Sequence, residues 1–113
     1  MRRFHKLLAG ASWIDEYGNP DDPNDWQWLK AYSPYHNLER DRRYPPVLFL
    51  SSTRDDRVHP GHARKMVKRM LELGHSNVYY WENIEGGHFG ATNNQQFANK
   101  FALIYTFLKK WLF

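Results

Sequence analysis

Two short apolar runs constrain the fold of this chain most strongly. Residues 47–52, Val-Leu-Phe-Leu-Ser-Ser, follow a proline pair, are rich in strand formers and end in polar residues, which predicts a buried β-strand. Residues 78–81, Val-Tyr-Tyr-Trp, predict a second strand. Both runs are apolar on both faces, as are the strands of a parallel sheet that helices cover on both sides. We therefore expect an α/β fold with a short parallel sheet flanked by helices.

The helix between the two strands has the clearest pattern. Apolar residues recur at helical spacing between residues 60 and 74, with basic residues on the opposite face and Gly74 as the expected C-terminal glycine. A right-handed crossover places this helix on one face of the sheet. A final helix that begins at Asn93 or Asn94 can then cover the other face. Its predicted apolar stripe consists of Phe97, Phe101, Ile104, Tyr105, Leu108 and Leu112.

The residues before the first strand give weaker signals. Residues 1–8 resemble the tail of a helix that has no capping residue before it, so we expect a chain cut from a longer protein. Glu16 to Asp25 is dense in turn formers and predicts a loop. Asn24 is the predicted N-cap of the short helix that follows, with Trp26 and Leu29 turned inward.

Side chains that can do acid–base chemistry follow both strands. Asp55 and Asp56 come just past the carboxyl end of the first strand, and His88 follows the second strand in a Gly-Gly-His turn. In open parallel α/β sheets this edge collects ligands and catalytic groups. A hydrolytic histidine needs a carboxylate on its far ring nitrogen, because the carboxylate fixes the tautomer and stabilises the imidazolium. The two loops therefore predict the acid–base half of a hydrolytic triad.

The alternatives at these positions are ordinary loop roles. His88 fits a glycine-rich turn without any catalytic function, and the acidic pair with Arg57 fits a surface turn with a weak ion pair. The nucleophile pattern Gly-x-Ser-x-Gly occurs nowhere in the chain, and there is no cysteine. His59 and His62 have the spacing of metal ligands, but the Pro-Gly between them fits a helix entry better, so no metal site and no cofactor are predicted.

Composition limits the remaining classes of function. With 113 residues the chain forms one domain at most. Its net charge of +4 comes from basic residues interleaved with acidic and apolar ones, which is typical of solvated helix faces, so nucleic-acid binding is not expected. No apolar run approaches the ~18 residues of a membrane span, and the apolar part of the opening segment is too short for a secretory signal. The absence of cysteine suits a reducing compartment, and we expect a cytoplasmic protein.

Several motifs match one known family in their order along the chain. The segments 55–60 and 85–88, Asp-Asp-Arg-Val-His-Pro and Glu-Gly-Gly-His, with the helix and strand between them, resemble the carboxyl end of the prolyl oligopeptidase family of serine peptidases. The segments 11–13, 16–18 and 31–37 resemble the family's preceding segments. The resemblance therefore covers essentially the whole chain.

The resemblance implies the carboxyl-terminal part of an α/β-hydrolase peptidase domain, from a family whose members cleave short peptides after proline and carry a β-propeller cap. Position by position, Asp55 resembles the triad acid, His88 the triad base and Arg57 the arginine that contacts the substrate backbone. Asp56 is the competing candidate for the acid. In such proteins the nucleophile elbow, the oxyanion-hole tyrosine and the first strands of the sheet lie upstream of the matching segment. We therefore expect residues 1–113 to be a partial peptidase domain that is inactive by itself.

The same reasoning predicts partners. The resemblance implies short proline-containing peptides as substrates of the parent enzyme. Residues 47–50 would offer unpaired backbone groups, and Phe4, Leu7 and Trp13 would lose the surfaces on which they pack. We therefore expect a homodimer, or a complex with an upstream peptidase segment, in place of a monomer. The alternative function is a small oligomeric interaction module that reuses this segment and binds a partner through its uncovered sheet edge.

Overall fold

The structure is a computed structural model that describes all of residues 1–113. Two strands, four α-helices and three 3₁₀ segments make up the fold. The strands are β1 (Val47–Ser52) and β2 (Val78–Asn83). The α-helices are α1 (Ile14–Tyr17), α2 (Pro23–Tyr32), α3 (Gly61–Glu72) and α4 (Asn94–Leu112). The 3₁₀ segments are Phe4–Lys6, Leu8–Trp13 and Pro34–Asn37.

The two strands form a parallel sheet, as their apolar character predicted. The register runs from Val47 opposite Val78 to Ser52 opposite Asn83. Because the register is unbroken, the two strands end at the same edge of the sheet. The loop after β1 and the loop after β2 therefore leave side by side.

Helices α3 and α4 cover opposite faces of the sheet, in agreement with the predicted layering. Arg64 of α3 contacts Tyr80 and Glu82 of β2. The rings of Phe107 and Trp111 in α4 lie 5.6 and 6.1 Å from the ring of Tyr79. Since neighbouring residues of a strand point to opposite faces, these contacts place the two helices on different sides.

Helix α3 ends as its sequence predicted. Gly74 has a φ of +92°, the left-handed conformation that glycine adopts without a steric cost. The amide of Gly74 donates to the carbonyl of Leu71 (2.9 Å), and the amide of His75 donates to the carbonyl of Met70 (3.1 Å). This pair of bonds is a Schellman motif, which satisfies the last carbonyls of the helix. Met70, only 2% exposed, anchors this end of α3 in the core.

Most of the predicted apolar stripe of α4 faces solvent and does not face the sheet. Phe101, Tyr105 and Leu112 are 47%, 65% and 67% exposed, and of the six predicted residues only Ile104 turns partly inward. The inward face also carries the half-buried Leu103 and Phe107. Helix α4 is apolar around most of its circumference, so two stripes have helical spacing and periodicity cannot select between them.

The amino-terminal region also departs from the prediction. Residues 1–8 do not form an α-helical tail. The first 3₁₀ segment ends at Lys6, Leu7 is extended, and Leu8, which begins the second segment, has a φ of +50°. Gly10 packs so closely on the preceding segment that a Cβ there would lie 1.8 Å from the carbonyl oxygen of Phe4. Phe4 is 5% exposed and contacts the ring of Tyr17, so the expectation that it lacks a packing surface is wrong.

Helix α2 begins two residues earlier than predicted. Asp22 is its N-cap and accepts a 2.7 Å hydrogen bond from the amide of Asn24, while Pro23 occupies the first helical position. Helix α1 lies partly within the predicted loop. Leu29 is 1% exposed and is the inward anchor that its position predicted, whereas Trp26 is only half-buried.

Candidate functional site

Asp55 is held in place by the loop that follows β1. Its Oδ1 accepts hydrogen bonds from the backbone amides of Arg57 (2.9 Å) and Val58 (2.8 Å). The side chain is 11% exposed although it lies in a loop. A short acidic side chain that binds the amides two and three residues ahead closes a local turn. The carboxylate therefore has a fixed position that does not depend on any partner.

His88 lies in the loop after β2, residues 84–93, which we call the histidine loop. Within it the amide of Gly90 donates to the carbonyl of Gly87 (2.8 Å), so His88 is at the tip of a tight turn. Gly90 has a φ of +74°. A Cβ on Gly86 would lie 2.8 Å from the backbone nitrogen of Ala91, so the two legs of the loop touch at a position where only glycine fits.

The structure brings Asp55 and His88 together. His88 Nδ1 lies 3.0 Å from Asp55 Oδ2 and 3.1 Å from Oδ1. The imidazole is 34% exposed, and its Nε2 makes no hydrogen bond within the chain. Asp56 is exposed, and of the two neighbouring acids only Asp55 pairs with the imidazole of His88.

The electrostatics keep the acid ionised. Burial raises the pKa of Asp55, but the amides of Val58 and Arg57 and the neighbouring His88 together outweigh this effect and hold its pKa below the usual value. A carboxylate beside a ring nitrogen favours the tautomer with its proton on Nδ1. That tautomer leaves the lone pair of Nε2 available to accept a proton.

Arg57 reaches the same edge of the sheet. It is exposed, and its guanidinium carbon lies 5.9 Å from the centre of the Phe89 ring, within range of a cation–π contact. Phe89 in turn lies edge-on to His88, with ring centres 5.7 Å apart. The structure therefore gathers all three of the predicted site residues.

A cleft of about 560 Å³ opens beside Asp55 and His88. Apolar side chains, including Phe49, Val58 and Trp81, form much of its lining. Ser33, Ser51 and Ser52 also line it. The hydroxyl of Ser33 is hydrogen-bonded to His36 (2.8 Å), and the hydroxyl of Ser52 donates to backbone carbonyls. No serine of the chain hydrogen-bonds to His88.

The other histidine pair has a local role. Nδ1 of His59 accepts a hydrogen bond from the amide of Gly61 (3.0 Å), which supports the entry into α3 as the sequence suggested. His62 lies in the first turn of α3, where burial is the main cause that lowers its pKa.

Sequence reasoning missed the residues that support the histidine loop. Asn83 ends β2, Ser52 ends β1, and Gln96 and Lys100 belong to the first turns of α4. All four hydrogen-bond to residues of the loop. The sequence offers one weak signal, an asparagine followed by a Gly-Gly pair, since asparagine commonly binds the amides just after it.

The chain matches the model of the prolyl oligopeptidase family over residues 1–113. It is 48% identical to an uncharacterized peptidase of Sinorhizobium fredii over 108 residues, which cover 96% of this chain and 15% of the relative. It is 36% identical to a prolyl oligopeptidase of Omphalotus olearius, covering 97% of this chain and 15% of the relative. The chain therefore spans about one seventh of the length of these relatives.

Solved structures give the same result for the fold. A post-proline cleaving enzyme from Rickettsia typhi superposes with a TM-score of 0.91 at 37% identity, covering 95% of this chain and 16% of that one. A second structure is prolyl oligopeptidase B from Galerina marginata, which carries a histidine-to-alanine mutation and is bound to a hydrolysis and macrocyclization substrate. It superposes with a TM-score of 0.76 at 28% identity, covering 90% of this chain and 15% of that one. The expected α/β-hydrolase architecture is thus confirmed. This chain belongs to the prolyl oligopeptidase family of peptidases.

Proposed function

We propose that residues 1–113 form the carboxyl-terminal portion of a peptidase domain and supply the acid and the base of a serine-peptidase triad. The single observation that carries the proposal is the 3.0 Å contact between His88 Nδ1 and the Asp55 carboxylate at the carboxyl edge of a parallel sheet. The proposed reaction is hydrolysis of short peptides after proline. The serine comes from another segment of a protein of this family.

Each of the three residues has a step in the proposed reaction. Nε2 of His88 takes the proton of the attacking serine hydroxyl and later gives it to the leaving amine. Asp55 keeps the other ring nitrogen protonated and stabilises the imidazolium that forms. Arg57 lies at the same rim, where its planar fork of N–H donors is suited to a substrate carbonyl.

The chain by itself lacks the group that attacks the substrate. There is no Gly-x-Ser-x-Gly pattern and no cysteine, and none of the serine hydroxyls is paired with His88. An acid and a base without a nucleophile cannot form an acyl-enzyme. We therefore expect the isolated chain to be inactive.

Relatives of the chain support these roles. Structures of the Galerina marginata enzyme were determined with a serine, a histidine or an aspartate replaced by alanine and with peptide substrates bound. These are the three residue types of the proposed triad. Two of the three types stand in contact in this chain as Asp55 and His88.

The test uses the isolated chain and a chimera in which it replaces the matching segment of the Sinorhizobium fredii relative. The isolated chain is expected to give no fluorophosphonate adduct, whereas the chimera is expected to form the adduct and to cleave a peptide after proline. His88→Ala should abolish cleavage by the chimera, and Asp56→Ala is the matched control that should retain it. A stoichiometric adduct on the isolated chain, or full activity of the His88→Ala chimera, would overturn the proposal.

A second proposed role is association, which a specific feature favours. The sheet has only two strands, so one edge of β1 has no partner strand. The backbone groups of successive residues point to alternate sides of a strand, and the amide of Val47 bonds on the β2 side, so the amides and carbonyls of Leu48 and Leu50 lie on this free edge. The outward face of α4 is apolar and exposed, and only 12 of the 113 residues are buried. Such an edge pairs readily with another strand, from a second copy or from an upstream segment of a family member.

Light scattering on a sizing column tests this association. We expect a mass of at least two chains at micromolar concentration, or a one-to-one complex when the upstream segment is present. A single peak at 13.6 kDa with and without that segment, combined with cooperative unfolding, would show that the chain closes its own core.

None of the helices is both long and apolar enough to cross a lipid bilayer.

A further inference from the structure

Asn83, the last residue of β2, is a buried polar side chain that makes hydrogen bonds with both of its ends. It is 7% exposed. Its Oδ1 accepts from the amides of Glu85 (2.9 Å) and Gly86 (3.2 Å). Its Nδ2 donates to the carbonyl of Gly90 and to Oε1 of Gln96, each at 2.9 Å. All of the hydrogen-bonding capacity of one carboxamide is used, which is what burial of such a group requires.

Three of these bonds connect the two legs of the histidine loop, and the fourth connects Asn83 to α4. Glu85 and Gly86 belong to the leg that leaves β2, and Gly90 belongs to the leg that returns toward α4. His88 lies at the tip between them. The Asn83 side chain therefore ties both legs to one buried point and fixes the width of the loop base.

The partners of Asn83 are themselves fixed. Gln96 Oε1 also accepts from the amide of Thr92 (2.8 Å), and Gln96 Nε2 donates to the Glu85 carboxylate (2.6 Å). Ser52 donates to the carbonyl of Gly86 and lies opposite Asn83 in the sheet. The strand that leads to Asp55 is thus bonded directly to the loop that carries His88.

We propose that Asn83 is a positioning residue for His88, which holds the imidazole where Nδ1 meets the Asp55 carboxylate. Asparagine suits this position because its carboxamide carries an acceptor and a donor at the same distance from the backbone. Aspartate would keep the acceptor for Glu85 and Gly86 but lose the donor for Gly90, and leucine would lose both. The catalytic consequence rests on the proposed function, whereas the placement of His88 does not.

The first experiment uses the isolated chain with Asn83→Asp, Asn83→Leu and the exposed control Asn99→Asp. The readouts are ¹⁵N spectra of the His88 ring at about pH 9, where a free imidazole is neutral, and hydrogen exchange of the loop amides. We expect Asn83→Leu to speed exchange of the Glu85 and Gly86 amides by about tenfold, because the hydrogen bonds that protect them are gone. Asn83→Asp should leave these two amides protected.

The ring spectra separate positioning from general stability. Both Asn83 variants should lose the preference for the proton on Nδ1, whereas Asn99→Asp should keep it. An unchanged tautomer in a folded Asn83→Leu chain would overturn the proposal. If that variant fails to fold, Asn83→Asp provides the decisive spectrum, and failure of both variants to fold would assign Asn83 a structural role alone.

The same substitutions in the chimera connect placement with catalysis. A misplaced base should lower kcat by about 10²-fold and leave KM nearly unchanged, since a displacement of about 1 Å at the reacting group has effects of this size. Equal losses in kcat and in the amount of folded enzyme would overturn the positioning role. An inactive wild-type chimera together with the expected ring spectra would count against the proposed function and leave the placement of His88 by Asn83 intact.

Discussion

Replacing Asp55 in two different ways separates the geometry of the acid from its charge. Asp55→Ala removes both bonds to the amides of Arg57 and Val58, and bonds to a charged group contribute about 1.5–3 kcal/mol each. Both residues are exposed, so water replaces the lost acceptor and the expected cost falls to about 2–3 kcal/mol in total. Asp55→Asn keeps an oxygen acceptor in the same place and should cost only about 1 kcal/mol.

The pH dependence of these costs has a definite sign. The pKa of Asp55 in the folded chain is lowered, so its charge stabilises the fold above the unfolded pKa of about 3.9, and this contribution is lost as the pH falls through the folded pKa. The stability gap between the wild-type chain and Asp55→Asn should therefore stay constant from pH 7 to about pH 5 and shrink as the pH falls below about 4.

Urea unfolding at one fixed protein concentration, followed by tryptophan fluorescence, measures both quantities. The concentration is fixed because association changes the apparent stability. Equal losses for Asp55→Ala and Asp55→Asn at neutral pH would contradict the claim that the backbone amides hold the carboxylate. A stability gap that does not change with pH would contradict the claim that the carboxylate is charged.

Two further predictions concern the frame around the site. Leu29→Ala should destabilise the chain by about 2–5 kcal/mol in the same urea titration, because the side chain is fully buried. Trp28→Ala, at an exposed position of the same helix, should change the free energy of unfolding by no more than about 0.5 kcal/mol. Similar losses for the two variants would contradict the inward packing of Leu29. The Arg64 guanidinium is the main cause that lowers the pKa of Glu82 to about 2. The wild-type chain should therefore lose a small part of its stability as the pH falls from about 4 toward 2, because water screens the exposed guanidinium. Glu82→Gln should lack this loss. Identical acid titrations of the two proteins would show that this ion pair contributes nothing.

The parts of the fold that depend on local pattern were predictable from the sequence. The two apolar runs gave the parallel strands, and the helix pattern that ends at Gly74 gave the crossover. Because these elements fix the direction of both loops, the meeting of Asp55 and His88 followed from the order of the elements alone. Only the choice between Asp55 and Asp56 needed the resemblance to the family or the structure.

Features that depend on contacts between distant segments were not predictable. Helix α4 carries apolar residues on two faces, and only packing against Tyr79 selects the face with Phe107. Phe4 was expected to be exposed because nothing in the sequence shows its contact with Tyr17. The four hydrogen bonds of the Asn83 side chain join residues from a strand, a loop and a helix. No regular spacing in the sequence predicts that these residues meet.

The most direct test of the central claim is the ¹⁵N spectrum of the His88 ring in the isolated chain at about pH 9, compared with Asp55→Asn. The claim is that this segment assembles its acid–base pair without the nucleophile, through the 3.0 Å contact between Nδ1 and the carboxylate. A carboxylate there requires the proton to be on Nδ1, and an amide in its place removes that requirement. We predict a predominantly Nδ1-protonated ring in the wild-type chain and loss of that preference in Asp55→Asn. A wild-type ring protonated mainly on Nε2, or the same spectrum for both proteins, would contradict the claim.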